Sequence, residues 1–376
     1  IASINTLAGW VHFKLTGQKV LGIGDASGMF PVDMTTKNYD KKFLAAFDNL
    51  VADKKFNWKL EQILPKVEVA GKPAGTLTDA GAKFLDPTGA FEAGCLLAPP
   101  EGDAGTGMVA TNSVTARTGN VSAGTSVFAM IVLEKPLQAA YKNQIDIVQT
   151  PDGSAVAMAH ANNCTGEYDK WINIFGSAAK ALGADFSKPQ LYDTLLGLAL
   201  KGDKNCGGLV PYNYISGESI TGFASGRPLF VRAQNANFTL ENFMRAQLFT
   251  ALGALRAGMD ILFEKEKVAI DSLTGHGGFF KTAGVGAKIM AAAMHTAVSS
   301  MKTAGEGGPW GMAILAAFAA DNKGMSLSDY LNKEVFARAE ITKTEPDAAD
   351  VKGFDEFFAN YKKGLAVERV AVESLE

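Results

Sequence analysis

The chain is short of the residues that staple or metallate a fold. Its 376 residues include three cysteines, Cys95, Cys164 and Cys206. They lie far apart and lack a Cys-x-x-Cys spacing, which argues against a disulfide framework or a zinc ribbon and reads as reduced thiols. Four histidines leave little for a zinc-type centre. Excess charge is scarce too: 36 Lys and Arg against 39 Asp and Glu give a net charge of −3, so neither nucleic acid nor an anionic membrane is called for as a partner. Long hydrophobic runs are missing. The longest, near Gly311 to Ala320, is about half the ~20 residues that a membrane span needs. No signal peptide is recognisable, and a cytoplasmic protein is expected, although the first residue is Ile1 and not methionine.

What is present is apolar matter and glycine. A hydrophobic content of 47% over this length supports two or more domains with real cores. Two glycine turns stand out between Leu96 and Met130, each beside a short apolar run. In Gly102-Asp103-Ala104-Gly105-Thr106-Gly107 a carboxylate sits among residues too small to bury it, so Asp103 is expected to point into an open cleft where it can accept a proton. Gly124-Thr125-Ser126 lies between Asn120-Val121-Ser122 and the β-prone run from Val127 to Leu133. This reads as a strand-turn-strand whose backbone N–H groups and hydroxyls face an anion such as a phosphate. A base and a phosphate cradle on neighbouring turns point to phosphoryl transfer.

Periodicity predicts helices near Ile4 to Phe13, Tyr39 to Leu50, Tyr168 to Leu182 and Leu240 to Phe263. Gly22-Ile23-Gly24-Asp25-Ala26-Ser27-Gly28 lacks the spacing of a dinucleotide fingerprint, and Asp25 and Ser27 read as side chains closing a turn. Ala269 to Thr274 reads as a strand ending in Gly275-His276-Gly277-Gly278, ahead of a helix from Gly286 to Val298. Such a glycine cluster lets a nucleotide approach the backbone beside a helix N-terminus. His276 is expected to face solvent. Glu218 could be a second carboxylate for hydrolysis, but nothing in the sequence pairs it with Asp103, and a structural or lid role is favoured.

In this order the segments resemble the FGGY carbohydrate kinases, the group of xylulokinase, ribulokinase and glycerol kinase. The resemblance rests on the Gly-Asp turn, the Gly-Thr-Ser loop, the Gly207 to Glu218 stretch, the Gly275 to Gly278 cluster and the small-residue run from Gly305 to Ala317. It implies an α/β, actin-like ATPase (ribonuclease H-like) two-domain fold with an interdomain cleft. It also implies Asp103 as general base, with Asp103 and Ala104 beside the sugar. ATP would lie with its phosphates at Gly124, Thr125 and Ser126, and its adenosine near Gly275, Gly277, Gly278, Gly305, Gly307 and Gly308. Mg2+ would be held near Asp103 through water. The sequence departs from the pattern at Pro99-Pro100-Glu101, which replace small residues, and at Ala104, where many relatives carry an Asn that contacts sugar.

The expected organisation is 1–118 as the C-terminal part of a sugar-binding domain, 119–322 as an ATP-binding domain and 323–376 as a helical extension. The expected activity is ATP-dependent phosphorylation of a ketopentose, xylulose or ribulose. The alternatives are another polyol such as glycerol, or a non-catalytic nucleotide-binding regulator of the actin-like kind. Partners would be the sugar and ATP, without nucleic acid or membrane, and a homodimer is allowed. The opening Asp-x-Gly-Thr-Thr/Ser hairpin of such kinases has no counterpart in the sequence. An N-terminal segment is therefore expected outside it, and this piece alone is expected to be inactive.

Overall fold

The computed structural model describes residues 1–301 and 307–375. Helix α1 (Leu7–Thr16) begins where the Thr6 hydroxyl accepts from the Gly9 N–H. It stops at Gly17, whose φ of 72° lets its N–H reach the Phe13 carbonyl. Strand β1 (Val20–Gly22), helix α2 (Ile23–Met29), the hairpin β2 (Val32–Asp33) and β3 (Asn38–Tyr39), helices α3 (Lys41–Leu50) and α4 (Leu60–Ile63), and strand β4 (Lys66–Glu68) follow. β1 and β4 pair in parallel, and Leu21, Ile23, Leu44, Leu60 and Ile63 close a small core around them. Strand β5 (Gly75–Thr76), helix α5 (Asp79–Leu85) and strand β6 (Leu96–Leu97), antiparallel to β5, lead to helix α6 (Asp103–Ala110). The strands of this part are two or three residues long and pair two by two, so its helices carry the packing. α1 leaves Leu7, Trp10 and Val11 exposed.

Beyond α6 the chain builds one large sheet. Its elements in chain order are β7 (Thr118–Ala123), β8 (Val127–Val132), β9 (Asp146–Gln149), β10 (Ala155–Ala161), helices α7 (Gly166–Ala181) and α8 (Lys188–Ala199), and the hairpin β11 (Leu209–Tyr212) and β12 (Leu229–Arg232). Then come α9 (Leu240–Asp260), β13 (Ser272–His276), α10 (Val285–Met294), β14 (Val298–Met301), α11 (Gly307–Ala320), α12 (Leu327–Tyr330), β15 (Ile341–Thr344) and α13 (Ala348–Ser374). Seven strands lie in the order β15-β14-β13-β7-β8-β10-β9. β13 is parallel to both β7 and β14, while β7, β8, β10 and β9 run antiparallel to one another. The last part of the chain is woven in, with β15 on the sheet edge and α13 in its core.

Both faces of the sheet are covered, which explains why the β8 run Val127 to Val132 is apolar without alternation. Val121, Ala123, Ala129 and Ile131 face the core shared with α9, α10 and α13. Met130, Val132 and Val156 face the other way, against Met108 and Val109 of α6 and Ile314, Leu315 and Phe318 of α11. α9 is buried along most of its length, as its all-round apolar and small-residue sequence requires. α13 is pinned at Tyr361, whose hydroxyl meets that of Tyr214 at 2.8 Å and whose carbonyl accepts from Tyr212 at 2.8 Å.

Candidate active site

The segment Pro99-Pro100-Glu101-Gly102 delivers the chain into α6, and Asp103 is the first residue of that helix, exposed. The expected glycine turn over Gly102 to Gly107 is therefore corrected: Gly102 is the cap and the rest is helical. Glycine costs an exposed helix interior about 1 kcal/mol, but here the small residues admit close neighbours. Gly105 packs on Pro151 and Gly107 faces the Asn120 amide. A side chain at Gly311 of α11 would overlap the Thr106 carbonyl. Asp103 gains from its place in the first turn, where free N–H groups favour a negative charge. Ala104 is half-buried and packs toward the core between the sheet and α11.

Asp25 of α2 stands beside this helix start. Its Oδ1 lies 3.4 Å from where a Cβ at Gly102 would be, and its Oδ2 accepts from the Thr6 hydroxyl at 2.7 Å. Burial raises its pKa above the ordinary carboxylate value, the Thr6 hydrogen bond opposes this, and the charge of Asp103 adds to it. The sequence reading of Asp25 as a turn-closing residue misses this juxtaposition. Ser27 does act locally, donating to the Gly24 carbonyl at 2.7 Å, and it also accepts from Gln149 N at 3.0 Å. A groove of about 610 Å³ opens under Asp103, walled by Val11 of α1, Leu97, Pro100, and Met312 and Ala316 of α11.

Gly124, Thr125 and Ser126 form the tip of the β7–β8 hairpin, as expected. Gly124 N donates to the Ser126 carbonyl at 2.8 Å. The Gly124 and Thr125 carbonyls accept from Thr165 N at 3.0 Å and Cys164 N at 2.9 Å, which ties the tip to the start of α7. No atom lies within 4 Å of a Cβ built on Gly124, and Thr125 is exposed, so the tip presents an open side. The chain leaves α6 at Ala110, re-enters the sheet at Thr118 and brings Asn120 beside Gly107. Gly107 of α6 is thereby held against β7, four residues along the chain from Asp103 on one side and, at Asn120, four residues from Gly124 on the other.

The Gly275 to Gly278 loop emerges next to this hairpin because His276 of β13 pairs with Ser122 of β7. Gly277 has φ 99°, and a side chain there would overlap the Ala123 carbonyl, so the position needs glycine twice over. Gly275 is filled by the Phe280 ring, a packing role, whereas nothing lies within 4 Å of a Cβ on Gly278. Gly278 lines a cleft of about 430 Å³ with Thr165 at the cap of α7, Tyr168 and Asp169 of α7, Lys188 and Tyr192 of α8, and Lys281. The α7 and α8 residues belong to no motif, and only folding brings them there. His276 is half-buried, not solvent-facing: its Nε2 is buried without a partner, and burial lowers its pKa. Gly308, at the start of α11 after Gly307, approaches Thr106 of α6, which marks it as a helix-packing residue. Gly305 lies outside the described residues.

Glu218 is fully buried and far from being a second catalytic acid. Its Oε2 accepts from Asn162 N at 2.9 Å, Asn163 N at 3.3 Å and Asn163 Nδ2 at 3.1 Å, bracing the β10–α7 corner.

With this geometry in hand, residues 119–320 match the C-terminal domain of the FGGY family of carbohydrate kinases, more than half of the chain. The chain belongs to the FGGY family of carbohydrate kinases. Its architecture is accordingly the actin-like ATPase fold of FGGY kinases. A xylulose kinase of Haemophilus influenzae is 21% identical over 95% of this chain, which spans 66% of that relative. The structure of ligand-bound xylulose kinase from Lactobacillus acidophilus superposes with a TM-score of 0.73 at 17% identity, covering 98% of this chain and 67% of that one. Plasmodium falciparum glycerol kinase with ADP does so with a TM-score of 0.69 at 16% identity, over 97% and 67%. No helix among the described residues of this FGGY chain is long and apolar enough to cross a membrane.

Proposed function

We propose that the protein containing this chain transfers the γ-phosphoryl group of ATP to a sugar hydroxyl, with a ketopentose, xylulose or ribulose, as the substrate. The observation that carries this reading is the exposed Asp103 carboxylate at the start of α6, a helix packed at Gly107 on the strand that leads into the open Gly124-Thr125-Ser126 tip. In the proposed reaction Asp103 accepts the hydroxyl proton as the sugar oxygen bonds to the γ-phosphorus and the bond to the bridging oxygen of ADP breaks. General base assistance of this kind contributes roughly 100- to 10,000-fold in rate. The sugar would sit by Asp103 and Ala104, and the ketopentose preference follows the xylulose kinase relative.

The nucleotide fits the residues present. Gly278 leaves free the space that a side chain would fill, and the adjoining cleft offers the Tyr192 ring and the Lys281 ammonium. We assign the adenosine to that cleft and the phosphates to the hairpin tip, with Gly277 holding the two loops together. Among the described residues no three metal-ligating side chains converge, so Mg2+ would ride on the phosphates and reach Asp103 through water. Bound there, the ion neutralises phosphate charge. On this reading 1–118 serves the sugar side and 119–322 the nucleotide side, with 323–376 completing the sheet and core of the latter.

The experiment is a panel of sugars and polyols, including xylulose, ribulose, gluconate and glycerol, with coupled detection of ADP release by the intact protein. Ketopentose-stimulated release that Asp103→Asn abolishes without loss of ATP binding supports the reading. Release with glycerol alone moves the substrate to a polyol. ATP binding without any stimulated release leaves a nucleotide-binding regulator.

A further inference from the structure

We propose that Glu101 is a positioning residue for phosphoryl transfer, a strap that sets where Asp103 stands. The inference rests on the reading of Asp103 as the base and adds to it a residue where the family pattern has a small one. α6 starts without a side-chain cap, since its cap residue is Gly102. The tie comes from the residue before: Glu101 Oε1 accepts from Gly24 N at 3.1 Å and Oε2 accepts from Asp25 N at 2.8 Å. Gly22 N adds a bond to the Pro100 carbonyl at 2.8 Å. Three glycines seal one side of the carboxyl with just enough room, while Glu101 itself is half-buried and also lines the groove under Asp103. Side chains at Gly22 or Gly24 would overlap it, and a Cβ on Gly105 would come within 3.4 Å of it.

Two consequences follow from this seal. Glu101 locks the start of α2 to the two residues preceding Asp103, so the height of the base above the groove is fixed by a side chain as well as by the Gly22–Pro100 backbone bond. The same lock brings Asp25 beside Gly102, so one strap sets the spacing between the Asp25 and Asp103 carboxylates. Misplacement of a reacting group by an ångström costs on the order of 100-fold in rate.

The test uses the intact protein with ATP and xylulose, or the panel sugar that turns over fastest. Assayed above about pH 8, where the carboxylate is ionised and accepts both N–H bonds, Glu101→Gln keeps the shape but can accept only one of them. Gly22→Ala keeps every hydrogen-bonding group and pushes only on the strap. Both are expected to lower kcat by about 10- to 100-fold while the KM for ATP stays within about two-fold. In a Glu101→Ala background, Gly22→Ala is expected to add nothing further. Melting curves accompany each variant. If Glu101→Gln unfolds, Gly22→Ala decides alone. A kcat within about two-fold of wild type in the folded variants, or a loss carried by the KM for ATP, overturns the proposal. Asp103→Asn in the same series separates the two readings: if it keeps turnover, the base assignment fails, whereas if it is dead and the strap variants are normal, only the strap fails.

Discussion

Gly311 of α11 lies against the carbonyl oxygen of Thr106 in α6, so close that any side chain there would overlap the backbone. The helix that begins with Asp103 is thus pressed onto its neighbour with no side chain between them at the crossing. Gly311→Ala is expected to cost about 1–3 kcal/mol through overpacking, read as a lower midpoint in chemical denaturation. Gly28→Ala is the control. Gly28 has open space and an ordinary helical backbone, so the substitution is expected to be neutral or to stabilise by roughly 0.4–1 kcal/mol.

The glycines beside the hairpin separate fold from ligand. Gly277→Ala forces a side chain onto a left-handed backbone and into the Ala123 carbonyl, and is expected to cost about 1–3 kcal/mol. Gly278→Ala meets nothing, so its stability is expected to stay within about 0.5 kcal/mol of wild type. The added methyl enters the proposed adenosine cleft, and a raised KM for ATP in a folded protein is the expected kinetic signature.

Glu218 offers a check on the discarded hydrolytic reading. Glu218→Ala leaves two backbone N–H groups and the Asn163 amide without their buried acceptor. A loss of about 2–4 kcal/mol is expected, measured by urea denaturation. Turnover measured well below the new melting temperature is expected to remain close to wild type.

The pH dependence of stability reports on Glu101. Burial, the dominant cause, pushes its carboxyl up to about 8; the N–H groups of Gly24 and Asp25 oppose the shift and the Asp25 charge adds to it. In the unfolded chain it titrates at its ordinary value near 4.5. The folded state therefore favours the protonated form, and this contribution is full below about 4.5 and is lost as the pH rises toward about 8. Relative to wild type, the melting temperature of Glu101→Gln is expected to climb across that window and level off above it. A flat difference contradicts the assignment.

Local signals in the sequence reached most of the second part. The period of Leu240 to Phe263, realised as a helix over Leu240–Asp260, and the small tip Gly124 to Ser126 between apolar strands are properties of adjacent residues, and both appear in the structure. Gly102 to Gly107 was misread because glycine spacing signals a turn only where nothing else packs there. The contacts that make it a helix come from Pro151, Asn120 and Gly311, far off in sequence. Lys188, Tyr192 and Lys281 were illegible for the same reason, since no motif links them. Glu101 registered only as a departure from a pattern, and its two N–H partners on α2 lie far back in the chain.

The two hydrogen bonds from Cys164 and Thr165 into the carbonyls of the Gly124–Thr125 tip weld that tip to the helix lining the neighbouring cleft. A ligand reaching from one to the other, as proposed for the nucleotide, would be gauged against a fixed ruler. On the proposed nucleotide assignment, length discrimination would then be a property of the second part by itself.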